Sequence, residues 1–267
     1  VIGLSTYAYF WRGSDRVPEP MTLDDMMRDT AAQGVRLFQI CDHAPLADYD
    51  DDRLRGLRAL ADELDLTLEL GTRGTDPAVL RTYLRLAVAL RASLVRSMWT
   101  AGDDRPDAIE TDRRLRTVLP EFEEAQVTLA LETYEQVTST ELVAVVRSIG
   151  SDRLGIVLDP ANTVANLEHP ADVTARCAPY VKNWHVKDFA FSRKDGWVGF
   201  ALTSTPLGDG RLDYDAMLAL LEPEARGINQ VVEHWLPWQD DPETTTRLEA
   251  EWTTLTIDHL RKKNSND

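Results

Sequence analysis

Short apolar runs alternate along this chain with longer segments of helical spacing. "VIGLSTY" reads as a strand and "TLDDMMRDTAAQG" as a helix, with Thr22 placed to cap it and Gly34 to stop it. "VRLFQI" and "LTLEL" read as strands on either side of "DDRLRGLRALADEL", where Leu54, Leu57, Leu60, Ala61 and Leu64 line one helical face. "DPAVLRTYLRLAVALR" predicts a helix that starts at Asp76 with Pro77 in its first position. The strand "SLVRSM", a long helix around "PDAIETDRRLRTVLPEFEEA" and the strand "VTLALE" follow. Thr138 and Glu141 have the spacing of a capping box, and that helix is expected to end at Gly150. Beyond it come "LGIVLD", a helical piece from about Pro170 to Ala178, "VKNWHVKDF", the helix "DYDAMLALLE", "INQVVEH" and a closing helix from about Pro242 to Lys262.

Eight strand candidates, each followed by a helix or a long loop, imply parallel pairing. Eight such units in roughly 250 residues is the arithmetic of an α/β (β/α)8 TIM barrel. A doubly wound open sheet favours a glycine-rich turn after its first strand, and "LSTYAYFWRG" lacks the GxGxxG pattern. No Gly/Pro/Ser linker divides the chain, so residues 1–267 are expected to form a single barrel, with about 258–267 as a helix end and polar tail.

Charge narrows the partners. Lys and Arg number 29 against 45 Asp and Glu, a formal net charge of -16. Such a chain repels phosphate backbones, which argues against nucleic-acid binding. No apolar run approaches the ~20 residues of a membrane span. No signal-peptide pattern opens the sequence, and a cytoplasmic protein is expected. Cys41 and Cys177 read as reduced thiols in that setting.

The barrel turns four strand ends into one question. Glu132 closes "LALE", Asp159 closes "GIVLD", His185 sits in "NWHVKD" and Glu233 ends "QVVE". In a parallel barrel the C-terminal tips of all strands lie on one face, so these four side chains share a mouth. Three crowded carboxylates either hold protons or surround a cation. Three oxygen donors and an imidazole suit a divalent ion with open positions, Mn2+ before Mg2+ or Co2+, with Zn2+ behind them. The absence of cysteine in the set argues against a structural zinc site. Such an ion polarises a carbonyl and stabilises the enediolate left when the adjacent carbon loses a proton. Two glutamates on opposite sides of that carbon give epimerisation, or isomerisation if the proton returns to the neighbouring carbon.

"LALET", "IVLDPANT", "NWHVKD", "PLGDGRLDY" and "VVEHW", in that order, resemble the xylose-isomerase-like TIM-barrel superfamily of sugar (phosphate) isomerases and epimerases. The resemblance implies Glu132 and Glu233 as metal ligands and acid/base pair, and Asp159 and His185 as the two further ligands. Asn162 falls where the ketose epimerases of that superfamily place a substrate-contacting histidine. The expected substrate is a small keto sugar or polyol, and homo-oligomers are common in the group. The expected function is a metal-dependent sugar isomerase or epimerase. The alternative is a lyase on the same machinery that eliminates a group from a keto sugar, inosose or 3-keto glycoside. An endonuclease needs more histidines and a basic groove, and five His with a charge of -16 speak against it. A non-catalytic sugar-binding subunit would keep the metal and dispense with the glutamates.

Further candidates surround these four. Lys187 shares the strand face of His185 and is placed to meet a substrate oxygen or enolate. His43 lies at the tip of strand two, and Trp99 and Trp235 near the tips of strands four and eight, as substrate contacts. Trp11, Trp99, Trp235 and Trp238 are expected to gather at the mouth. Glu69 is expected either at the mouth or in a structural salt bridge, and His234, next to Glu233, points to the other side as a packing residue. The glycine pair Gly208 and Gly210 suggests a phosphate loop, but the acidity and the superfamily's use of a similar pair favour a non-phosphorylated substrate.

Overall fold

A computed structural model describes residues 1–264 apart from 195 and 197. The strands are β1 (Ile2–Ser5), β2 (Leu37–Cys41), β3 (Thr67–Gly71), β4 (Leu94–Ser97), β5 (Thr128–Glu132), β6 (Leu154–Leu158), β7 (Val181–Val186), β8 (Asp188–Arg193), β9 (Phe200–Thr205) and β10 (Asn229–Val232). The helices are α1 (Leu23–Ala32), α2 (Asp51–Glu63), α3 (Pro77–Leu90), α4 (Ala108–Glu124), α5 (Ser139–Ile149), α6 (Pro160–Thr163), α7 (Pro170–Cys177), α8 (Tyr214–Leu221), α9 (Pro223–Arg226) and α10 (Pro242–Lys263). β1 to β7 and β10 close into a parallel barrel in the order β1-β10-β7-β6-β5-β4-β3-β2. The chain is a single (β/α)8 barrel.

Local chemistry sets the helix ends. Thr22 caps α1 and Thr138 caps α5, each in a reciprocal capping box with Asp25 or Glu141. Asp76 caps α3 ahead of Pro77, and Gly150 closes α5 in the left-handed region. Each polar cap satisfies amide donors that the first turn leaves open, worth about 1 kcal/mol. The helices lay their apolar stripes against the outside of the staves, where Phe38, Leu57, Leu68, Leu80 and Phe122 are fully buried. Inside the staves Leu94, Ala130 and Val157 form a small separate apolar cluster. Trp184 on β7 faces outward and stacks on Tyr214 of α8, with ring centroids 5.0 Å apart.

Two features depart from the sequence reading. "VKNWHVKDF" is two strands: β7 ends at Val186, and after Lys187 the chain leaves the barrel as β8, which pairs antiparallel with β9. α10 runs to Lys263, and Asn264, expected in a polar tail, is buried between the Gln230 amide (2.6 Å) and the Tyr214 hydroxyl (3.0 Å). Residues 265–267 of that expected tail lie outside the described residues. Among the described residues no helix is long and apolar enough to cross a membrane.

Candidate metal centre

Register brings the four strand-end residues together. Val231 of β10 pairs with His185 of β7, which sets Glu233 beside Lys187, two residues on. Leu158 of β6 pairs with Trp184, so Asp159 falls level with His185. Glu132, the last residue of β5, pairs with Val157. One ligand atom from each of Glu132, Asp159, His185 and Glu233 lies within 4.8 Å of every other, and all four residues are buried.

The turn after β6 explains "LDPAN". Asp159 Oδ1 accepts the backbone N–H of Ala161 (3.1 Å) and of Asn162 (3.3 Å), capping α6, with Pro160 at its first position. That turn carries the Asn162 amide over Glu132, where Nδ2 donates to Oε1 at 2.8 Å. The other Glu132 oxygen accepts from Arg96 Nε of β4. Asp159 Oδ2 lies 2.7 Å from Lys187 Nζ without hydrogen-bond alignment. Lys187 Nζ is also 3.1 Å from Glu233 Oε2 and 4.3 Å from the centre of the Trp235 ring. Ser5 of β1 donates its hydroxyl to Glu233 Oε1 at 3.0 Å.

His185 is oriented from behind. Its Nε2 meets Gln39 Oε1 at 2.9 Å, whereas Nδ1 makes no hydrogen bond and faces Glu132 (3.4 Å), Glu233 (3.5 Å) and Asp159 (4.0 Å). A nitrogen lone pair aimed at three carboxylates is repulsive unless a cation or a proton lies between them. The buried charges agree. Among the described residues the buried cations beside this cluster are Arg96 and Lys187, and Arg96 is shared with Asp42 at 3.5 Å, so the carboxylates outnumber the cations next to them. A divalent ion balances that excess, and His185 Nδ1, which makes no hydrogen bond, and Asp159 Oδ2, which has only the ion pair with Lys187, are ligand atoms of the right kind for it. The residues present therefore fit a divalent metal.

The ionisation of the cluster follows from burial set against neighbours. Burial raises the Glu132 carboxyl, but Arg96 and then His185 outweigh it and hold the group below the usual carboxylate range. Burial dominates at Asp159 and lifts it, against the pull of Lys187. Burial lowers the Lys187 ammonium, yet Asp159 and Glu233 more than compensate and keep it charged. His185 is likewise pulled down by burial and raised on balance by Glu233 and Glu132.

The remaining predicted residues have partners of their own. His43 bonds Tyr49 through Nε2 at 3.0 Å and is held below its ordinary value by burial. Trp99 is buried, its indole N–H donated to Pro106 O at 2.9 Å. Trp11 and Trp238 meet edge to face at 5.2 Å, with Arg16 over the Trp238 ring. Glu69 makes no salt bridge among the described residues; it accepts from three amides inside the barrel. His234 is buried against Thr253 and Trp252 as a packing residue. The glycine loop wraps the chain's own carboxylate: the N–H groups of Gly208, Gly210 and Leu212 all donate to Asp188, at 3.0, 3.0 and 2.9 Å. A Cβ at Gly210 would sit 2.1 Å from Asp188 Oδ1, so only glycine fits there. The sequence reading passed over Gln39, Asn183, Asn229 and Ser5. Their signal was a polar residue on the inward parity of an otherwise apolar strand, as Asn183 is two before His185.

A closed parallel barrel with three carboxylates and an imidazole at its C-terminal rim defines a (β/α)8 protein with a candidate divalent-cation site. The chain belongs to the xylose isomerase-like TIM-barrel family, whose family model matches residues 27–255. It is 48% identical over 263 residues to the 3-oxo-isoapionate decarboxylase of Pectobacterium atrosepticum, covering 98% of this chain and 96% of that protein. Among solved structures it resembles D-psicose 3-epimerase from Clostridium cellulolyticum H10, with a TM-score of 0.74, 15% identity and 98% of each chain covered. A xylose isomerase-like barrel protein from Mycobacterium smegmatis in complex with magnesium gives a TM-score of 0.71 at 18% identity, with 96% of each chain covered. These two structural likenesses concern the fold.

Proposed function

We propose that this protein is a divalent-metal-dependent lyase that decarboxylates a 3-oxo sugar acid through an enediolate. Of the two functions the motifs suggest, the lyase alternative is better supported than the isomerase or epimerase, and the group lost is CO2 rather than a β-substituent. The observation that carries this is Lys187, a charged ammonium 3% exposed and set between Asp159 and Glu233. It is a proton donor and an electrostatic partner for an oxyanion, where a two-base epimerase needs a second free carboxylate. Glu132 is poorly suited to be that base, because a buried guanidinium and an amide occupy both of its oxygens. The substrate class comes from the 48%-identical relative, which is named for a 3-oxo carboxylate.

In a 3-oxo acid the carbon bearing the carboxylate is next to the ketone. The bond to the carboxylate breaks, its electron pair enters the ketone as CO2 leaves, and a proton then returns to that carbon. A divalent ion held by Glu132, Asp159, His185 and Glu233 supplies Lewis-acid polarisation of substrate oxygens, and Mn2+ is the first to try. Lys187 holds the positive charge and the proton this sequence consumes, with Glu233 beside it as the relay. Trp235 and Asn162 frame the same ammonium and bind substrate in this reading.

The test supplies the Mn2+-loaded protein with a 3-oxo sugar acid and, separately, with a panel of keto sugars in D2O. CO2 release with one deuterium in the shortened ketose is the expected result. Deuterium exchange or epimer formation in keto sugars, with no CO2 from the acid, would return the isomerase reading to first place.

A further inference from the structure

Beneath the candidate centre lies a buried polar layer that the proposed reaction does not use. Glu69 of β3 is 1% exposed and faces no cation within ion-pair distance among the described residues. Its Oε2 accepts from Gln39 Nε2 (2.9 Å) and Asn183 Nδ2 (2.7 Å), and its Oε1 accepts from Asn229 Nδ2 (2.7 Å). Burial lifts the Glu69 carboxyl against the pull of Asn229, Gln39, His185 and Asn183. In its ionised form it has no proton to give, and each of these amides then turns its NH2 group toward it, as the contacts show. For Gln39 this leaves only Oε1 to face His185, and the Cys41 thiol donates to that same oxygen at 3.0 Å. An acceptor opposite Nε2 requires the imidazole to carry its hydrogen there. The neutral ring then presents a bare Nδ1 to Glu132, Glu233 and Asp159.

We propose that Glu69 is a positioning residue for the metal: acting through Gln39, it selects the His185 tautomer whose Nδ1 lone pair faces the cation. The inference rests on the reading that these four residues hold a divalent ion. Burying an unpaired carboxylate in a barrel is costly, and a neutral glutamine in the same space would fill it as well. What glutamine cannot do is dictate direction, since its own amide both donates and accepts. Gln39 could then turn its NH2 toward His185 Nε2, driving the hydrogen onto Nδ1 and closing the ligand position. Outer-shell partners of ligating histidines are worth about 10- to 100-fold in metal affinity, and a loss of that size is expected here.

The test uses full-length protein and Mn2+ alone. Nitrogen-15 NMR of the neutral His185 ring in the metal-free wild type is expected to show hydrogen on Nε2. Glu69→Gln is expected to admit the Nδ1–H tautomer and to raise the Mn2+ Kd by about 10- to 100-fold with the far-UV spectrum unchanged. The exchanged pair Gln39→Glu/Glu69→Gln, which again puts an obligate acceptor against Nε2, is expected to recover most of the loss. A role in packing alone predicts no recovery. A wild-type ring carrying its hydrogen on Nδ1, or a Glu69→Gln protein with both tautomer and Kd unchanged, would overturn the proposal. Failure of the wild type to bind Mn2+ would overturn the metal reading, and the tautomer in Glu69→Gln would still decide the relay.

Discussion

Asp159 and Asn162, three residues apart, are joined by a hydrogen bond from the Asn162 backbone N–H to Asp159 Oδ1 at 3.3 Å. One carboxylate oxygen thereby ends a strand and begins a helical turn, while the other is left facing Lys187 and His185. The same turn delivers the Asn162 side chain to Glu132. Asn162→Ala is expected to lower turnover at least tenfold and to destabilise the protein by about 1.5–3 kcal/mol, the range for a hydrogen bond to a charged group. Urea unfolding beside a CO2-release assay checks both; unchanged values in the two assays would remove Asn162 from the site.

Lys187→Met deletes the ammonium while keeping the length of the stem. Turnover is expected to fall by about 10²–10⁴-fold, the range for a lost acid/base group. Mn2+ binding is expected to hold or tighten, because the variant no longer has a cation of its own beside Asp159 and Glu233. Steady-state CO2 release and calorimetric titration separate the two effects. Retention of the wild-type rate would sink the assigned role.

Arg96 is 2% exposed and is the guanidinium partner of Glu132. Its removal leaves a buried carboxylate with one donor fewer, so Arg96→Met is expected to cost about 3–5 kcal/mol. Arg73 pairs with Asp42 at 3.0 Å, but its own side chain is 52% exposed. Arg73→Met is expected to cost under about 1 kcal/mol. Denaturant midpoints of the two variants should differ accordingly, and equal midpoints would contradict the burial argument.

Gly210→Ala drives a Cβ against Asp188 Oδ1 and against Phe189 O, at 2.1 and 2.5 Å. The loop must open, at an expected cost of about 1–3 kcal/mol. Since Asp188 already occupies the loop's amide donors, inorganic phosphate is expected neither to raise the melting temperature of the wild type nor to inhibit it. Thermal scans with and without phosphate test this directly.

His234 is buried, and burial, then Arg12 and Lys187, hold it down to about 3 from an ordinary 6.5. The unfolded chain therefore takes up a proton below pH 6.5 that the folded chain refuses until about pH 3. Above 6.5 the ring is neutral in both states and costs nothing. As pH falls through this window, stability is lost at up to about 1.4 kcal/mol per pH unit. A cation held by neighbouring Glu233 acts in the same direction. His234→Phe should flatten the pH dependence of the unfolding free energy across that range, and an unaltered slope would assign the acid sensitivity elsewhere.

The sequence by itself determined the barrel, because its signals are local. Alternation of period two and 3.6, the caps at Thr22, Asp76 and Thr138 and the stop at Gly150 each depend on residues a few positions apart. Strand ends could likewise be lined up once the barrel was inferred, which is why Glu132, Asp159, His185 and Glu233 could be named together. What those side chains touch depends on residues far away in the chain. Asn183 and Asn229 reach Glu69 across 114 and 160 positions, and His185 reaches Gln39 across 146. Only the closed barrel decides that Arg96 faces Glu132, that Asp188 fills the glycine loop, and that Trp99 turns its indole N–H to Pro106. The reason is physical: periodicity fixes which side of a strand a residue takes, whereas its partners depend on strand order, register and closure, which no short window of sequence contains.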